Sequence, residues 1–135
     1  PDETLPEHGI LRDYLFKDSR KGRVFPVSRP RKGVREAVLE YRIVRQTQDA
    51  CLAEITLHTG RTHQIRVPLS ARGCPIVGDF LYGTESEELP GRFALHSFRC
   101  RFLHPVTGQW VERESDPKEI FEPLLVRSST AEVKA

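Results

Sequence analysis

The stretch Leu57–Tyr82, LHTGRTHQIRVPLSARGCPIVGDFLY, is where the chain changes period, and with it architecture. Up to this point, Cys51–His58 alternates: Cys51, Ala53, Ile55 and Leu57 lie on one face, and Glu54, Thr56 and His58 on the other, as in a half-buried strand. Past Thr59 and Gly60 the spacing becomes helical. Thr62 is a suitable N-cap and Gly73 a suitable C′ residue, which predicts a helix over His63–Arg72. Pro68 falls well inside that span and is expected to kink or loosen it by removing the bond to the Gln64 carbonyl. Ile65 and Leu69, one turn apart, can anchor this helix on a sheet, while His63, Arg66 and Ser70 share a neighbouring face. The strand end thus brings Arg61 and His63 to a sheet edge beside the orphan amides of a helix start, a place suited to a phosphate. Taken alone, Arg66 is either a surface arginine with a carboxylate partner elsewhere or a functional cation on a rigid element.

Working outward, Ala37–Arg45 alternates with Leu39, Tyr41 and Ile43 on one face, and Gln46–Ala50 is a connector of hairpin length. Ile10, Leu11, Tyr14 and Leu15 follow helical spacing, which predicts one or two helical turns over Ile10–Phe16. Asp18–Gly33 reads as a long loop or as a hairpin around Arg23–Val27. Downstream, Ile76–Asp79 is a short strand and turn, and Glu85–Glu88 an acidic surface loop. Arg92–His104 alternates with Ala94, His96, Phe98, Cys100 and Phe102 inward, and a turn at Pro105–Gly108 leads to a partner strand over Gln109–Arg113. Asp116, Pro117 and Glu119 fit the start of a short helix that Pro123 limits. Strands, one helix, then strands again define an α+β fold with a mainly antiparallel mixed β-sheet and short helices.

The 135 residues are one domain or a piece of one: 1–127 as the folded unit and 128–135 as a disordered tail. No apolar run approaches the ~20 residues a membrane helix needs, and no signal peptide opens the chain, so a soluble, cytoplasmic protein without membrane contact is expected. Cys51, Cys74 and Cys100 are too few and too far apart for a disulfide framework or a zinc site; each is expected in the core as a small apolar residue. His58, His63, His96 and His104 match no zinc spacing either, so no metal is expected. The absence of methionine and the start at Pro1 lead us to expect a trimmed or truncated chain. Net charge is +2, yet Lys17–Arg45 carries ten Lys or Arg against three acids. That segment is either a polyanion-facing surface, with Arg29, Arg31 and Lys32 as candidate contacts, or a charged solvated loop.

The run Thr59–Val67 (TGRTHQIRV), followed by Gly73, Pro75-Ile76-Val77-Gly78-Asp79, Tyr82-Gly83, Leu95-His96 and Phe102-Leu103-His104-Pro105, resembles the late signature of RluA-type RNA pseudouridine synthases. Gly9-Ile10-Leu11-Arg12-Asp13 and the basic hairpin also fit that family, so the resemblance covers roughly residues 9–117. It implies part of a pseudouridine synthase catalytic domain that isomerises uridine in ribosomal or transfer RNA without cofactor or metal. The target nucleotide is flipped from its stack and attacked by an aspartate. It further implies that Arg66 pairs with that aspartate and keeps it ionised, and that Arg61 and His63 join Arg29, Arg31 and Lys32 in binding RNA. The sequence departs from the family in three ways. It has no His-Arg-Leu-Asp motif, it lacks the family's upstream tyrosine, and Pro68 stands where many members have histidine. Asp13, Asp79 and Asp116 have structural readings, so the chain alone is expected to be inactive. A catalytically silent RNA-binding module is the alternative. An unpaired sheet edge makes self-association a further expectation.

Overall fold

The computed structural model describes residues 5–47, 50–84, 86–87, 91–116 and 132–134. A six-stranded sheet carries the fold in the order β2-β1-β3-β4-β8-β5. Its strands are β1 (His8–Asp18), β2 (Arg23–Val27), β3 (Val34–Gln46), β4 (Cys51–Leu57), β5 (Leu95–His96) and β8 (Glu132–Lys134). The first four pair antiparallel, whereas β8 runs parallel to both β4 and β5. A separate hairpin joins β6 (Arg99–Leu103) to β7 (Trp110–Glu114), and one short helix, α1 (Arg66–Ala71), packs on the sheet. The mainly antiparallel mixed sheet of the sequence reading is present.

Ile10–Phe16 is strand, not helix. β1 lies between β2 and β3, buries Leu11 and Leu15 on one face and half-buries Tyr14 and Phe16 on the other. Apolar residues on both faces erase the alternation and imitate helical spacing. The hairpin alternative for Arg23–Val27 is realised as β2, paired from Asp18 opposite Arg23 to Tyr14 opposite Val27. Residues 28–33 then cross β1 to start β3.

The helix begins at Arg66, not His63, without a side-chain cap; Thr62 does not cap it. Pro68 is therefore its third residue, in the first turn, where a missing N–H costs little, and no kink results. Its end is as expected: the Gly73 and Cys74 amides bond the Ser70 and Leu69 carbonyls, with Gly73 at φ 75. Ile65 and Leu69 join Leu11, Leu39, Tyr41 and Ile55 in one core cluster, and Val67 joins Leu15, Val24 and Ala37 in a second. At roughly 1.5–3 kcal/mol for each large buried apolar side chain, these contacts, not helix propensity, hold so short a helix.

The long strand predicted over Arg92–His104 is broken into β5 and β6. Ala94 is buried, but Cys100 and Phe102 are exposed on the hairpin, so neither lies inward. Cys51 and Cys74 are half-buried and Cys100 is exposed, which corrects the expectation of three core cysteines. Leu57, also expected inward, is exposed at the end of β4. Residues 132–134 form β8, between β4 and β5. The helix expected from Pro117 to Pro123 and tail residues 128–131 and 135 lie outside the described residues. No described helix is long and apolar enough to cross a membrane.

Candidate active site

The turn between β4 and α1 is fastened by Gln64, whose side chain is buried. Its Oε1 accepts the Arg61 amide at 2.6 Å and the Thr59 hydroxyl at 2.7 Å, while Thr59 Oγ1 accepts the Val38 amide at 3.0 Å. The turn is thereby pinned to β3, and the Arg61 amide is spent inside the protein. The helix start beside which a phosphate site was expected lies three residues further on, at Arg66, behind this staple.

Arg61 itself is exposed, with Nε donating to the Glu36 carbonyl at 3.0 Å. It has no carboxylate partner among the described residues. His63 sits at φ 53, the left-handed region that non-glycine residues rarely occupy. Its Nδ1 is 2.7 Å from the Tyr82 hydroxyl, which also accepts the Val24 amide at 2.9 Å. With the Val24 N–H as donor to the phenol oxygen, the Tyr82 proton is available to donate to Nδ1, an arrangement that suits a neutral imidazole carrying its proton on Nε2. Burial, followed by the Arg66 charge, holds the His63 pKa below its ordinary value, in agreement with that neutral form.

Arg66 faces a carboxylate, but one within this chain. Its Nε donates to Asp79 Oδ2 at 2.9 Å and Nη2 to Oδ1 at 2.7 Å, and Asp79 is fully buried. The guanidinium also lies 4.4 Å from the Phe93 ring centre and 5.2 Å from that of Tyr82. Asp79 Oδ1 additionally accepts the Leu81 and Tyr82 amides, each at 3.3 Å. Burial alone would raise the Asp79 pKa. The Arg66 hydrogen bonds and charge, with those two amides, outweigh it and hold the carboxyl below its usual range. Gly78, before it, cannot be replaced freely: at φ 85 a Cβ would stand 2.4 Å from the Arg92 carbonyl oxygen.

The structure thus gathers Arg61, His63 and Arg66 around one turn. It leaves Arg29, Arg31 and Lys32 on the crossover loop, where Arg31 stacks 4.9 Å from the Phe16 ring, which points away from α1. Asp13 is 3.2 Å from Arg72, so it and Asp79 each have an arginine. His58 pairs with Glu40 at 2.9 Å, and His104 Nδ1 accepts two amides of its own turn. Sequence reasoning missed Tyr82 and Gln64 as positioning residues. Both lie in the quoted motif blocks, but nothing local shows that Tyr82 bridges β2 to His63.

The chain belongs to the RNA pseudouridylate synthase family, whose model matches residues 3–71, just over half of it. It is of the RluA type. An uncharacterised RNA pseudouridine synthase of Synechocystis sp. is 40% identical over 112 residues, covering 81% of this chain and 33% of that protein. One from Aquifex aeolicus is 33% identical over 129 residues, covering 85% of this chain and 40% of its own length. Ribosomal large subunit pseudouridine synthase D of Zymomonas mobilis is 34% identical over 104 residues, covering 68% of this chain and 33% of that protein. The chain spans between a third and two fifths of the length of these relatives.

Proposed function

We propose that this chain is the C-terminal portion of an RNA pseudouridine synthase catalytic domain acting on ribosomal or transfer RNA. In this reading it supplies an RNA-facing surface and the arginine that meets a catalytic aspartate. The aspartate comes from a His-Arg-Leu-Asp segment that this sequence does not contain. In the reaction the C–N glycosidic bond of uridine breaks, a bond from the sugar to uracil C5 forms, C5 gives up its proton and N1 gains one. The name of the Zymomonas mobilis relative favours ribosomal RNA as substrate.

The observation that carries the reading is the placement of two arginines of one motif. The resemblance assigns the aspartate-pairing role to Arg66, and Asp79 already takes two of its donors. Those bonds use Nε and Nη2 and leave three of the five N–H donors, so Arg66 keeps the aspartate-pairing role while it locks the Asp79–Tyr82 turn, with Arg61 as a second cation of the same motif. The terminal nitrogens of Arg61 have no carboxylate among the described residues. A bidentate guanidinium would hold that aspartate ionised and aimed, as nucleophilic attack requires. His63, with Nε2–H directed by Tyr82, adds a neutral donor, and Arg29, Arg31 and Lys32 extend the RNA contacts along the crossover loop.

The test is tritium release from RNA labelled at uracil C5, using the complete protein that carries this chain. Arg66→Ala should abolish release while leaving RNA binding largely intact; wild-type release would remove Arg66 from the site. The silent-module alternative is favoured by the engagement of Asp13 and Asp79 with arginines. It would be established by tight RNA binding without any release from the complete protein.

A further inference from the structure

A concave region of about 280 Å³ lies where β1 ends, β3 begins and the β4–α1 turn passes, and its lining includes Lys17, Arg35, Gly60, Arg61 and Thr62. Neither Lys17 nor Arg35 has a carboxylate partner among the described residues. The nearest acids in sequence are committed elsewhere. Asp18 accepts the amides of Arg20 and Lys21, at 3.0 and 3.1 Å, and the Glu36 carboxylate lies 3.8 Å from Arg12. Three like charges around one hollow repel one another, and among the described residues no carboxylate pairs with any of them.

Gly60 adds an independent observation. Its φ is not positive, and a Cβ built there meets nothing within 4 Å. Neither backbone conformation nor packing therefore demands glycine at this position, which lines the same hollow as the three cations.

We propose that Lys17 and Arg35 form a phosphate subsite that holds a backbone phosphodiester flanking the target nucleotide, with Gly60 providing the space it occupies. The proposal rests on the RNA pseudouridine synthase reading. Arg61, which lines the same hollow, belongs to the same motif as the aspartate-pairing Arg66. The subsite anchors the strand beside the chemistry, and it uses charges different from Arg29, Arg31 and Lys32 on the crossover loop.

The experiment is RNA binding by the complete protein, followed by fluorescence anisotropy with a labelled single-stranded substrate over a range of salt. Each lost phosphate contact should lower the association constant about fourfold at 0.15 M salt and flatten the log–log salt slope by about 0.7 for single strands. Lys17→Gln with Arg35→Gln should therefore weaken binding roughly fifteenfold, at the sum of two contacts. Gly60→Val changes no charge but should weaken binding to a similar degree with an unchanged melting temperature.

To locate the contact without relying on a variant's folding, single neutral methylphosphonates are walked along the RNA. One or two positions next to the target should lose affinity with the wild-type protein and lose nothing further with the double variant. Full additivity at every position would overturn the subsite, as would unaltered affinity and salt slope in the double variant. If the wild-type protein neither binds RNA nor releases tritium, the enzyme reading itself fails, a result distinct from failure of the subsite alone.

Discussion

Asp79→Asn isolates the buried pair at the centre of the site. Asp79 Oδ1 accepts Arg66 Nη2 and the Leu81 and Tyr82 amides, whereas Oδ2 accepts Arg66 Nε alone. An asparagine can keep its carbonyl on the Oδ1 side, but its amide then presents hydrogens to the Arg66 Nε hydrogen, and the charge is lost. Cutting one partner from a buried ion pair costs about 3–5 kcal/mol. The Arg66 side chain retains 12% exposure and rests on two aromatic rings, which places the expected loss near the lower bound, about 3 kcal/mol. For a unit of this size that corresponds to a drop in Tm of roughly 10 °C. Chemical denaturation of the wild type, Asp79→Asn, Arg66→Met and the double variant completes a cycle, in which a coupling of about 2 kcal/mol or more is expected. The depressed Asp79 pKa adds a sign: its contribution is present above the ordinary carboxyl range and is lost as pH falls through the folded-state value. A cost under about 1 kcal/mol, or additive single variants, would refute the assignment of Arg66 as an internal strut.

Other outcomes follow from the same geometry. Tyr82→Phe strands the Val24 amide and releases His63, and should cost about 1–2 kcal/mol by denaturation while restoring both imidazole tautomers in nitrogen NMR spectra. Because the His63 pKa is lowered in the fold, its neutral form stabilises the protein above the unfolded value near 6.5; that stability should fall as pH drops below it, and His63→Gln should remove this part of the pH profile. Gly78→Ala meets a backbone oxygen at 2.4 Å in a left-handed conformation and should cost several kcal/mol, roughly 2–4, whereas Gly60→Ala should leave the melting curve unchanged.

β3 and β4 were legible because each keeps apolar residues to one face over much of its length, as Leu39, Tyr41 and Ile55 show. β1 was not legible, since apolar residues stand on both its faces, Leu11 and Leu15 on one and Ile10, Tyr14 and Phe16 on the other, and hide the alternation. The helix was seen, but its start was misplaced by three residues: Thr62 looks like a cap, while the helix starts without a side-chain cap and Gln64 fastens the turn before it. The motif residues were found from sequence, but the pairing of Arg66 with Asp79, thirteen residues away, was not. Such a pairing depends on the Gly78 turn reversing the chain, and no local pattern encodes that distance. Lys17 and Arg35 were counted only as charge, because their convergence exists only after β1 and β3 pair.

Sheets extend by accepting another chain's hydrogen-bond donors and acceptors along a border strand, and β2 has little to offer. Phe25 and Val27 sit among its pairings with β1; of the alternate positions, Val24 has given its N–H to Tyr82, and Pro26 has none. That flank can present carbonyl oxygens but no amide, so a second copy would find no ladder to climb there. The same phenol closes the border and orients an imidazole, so any strand forced onto β2 would have to unseat His63 first.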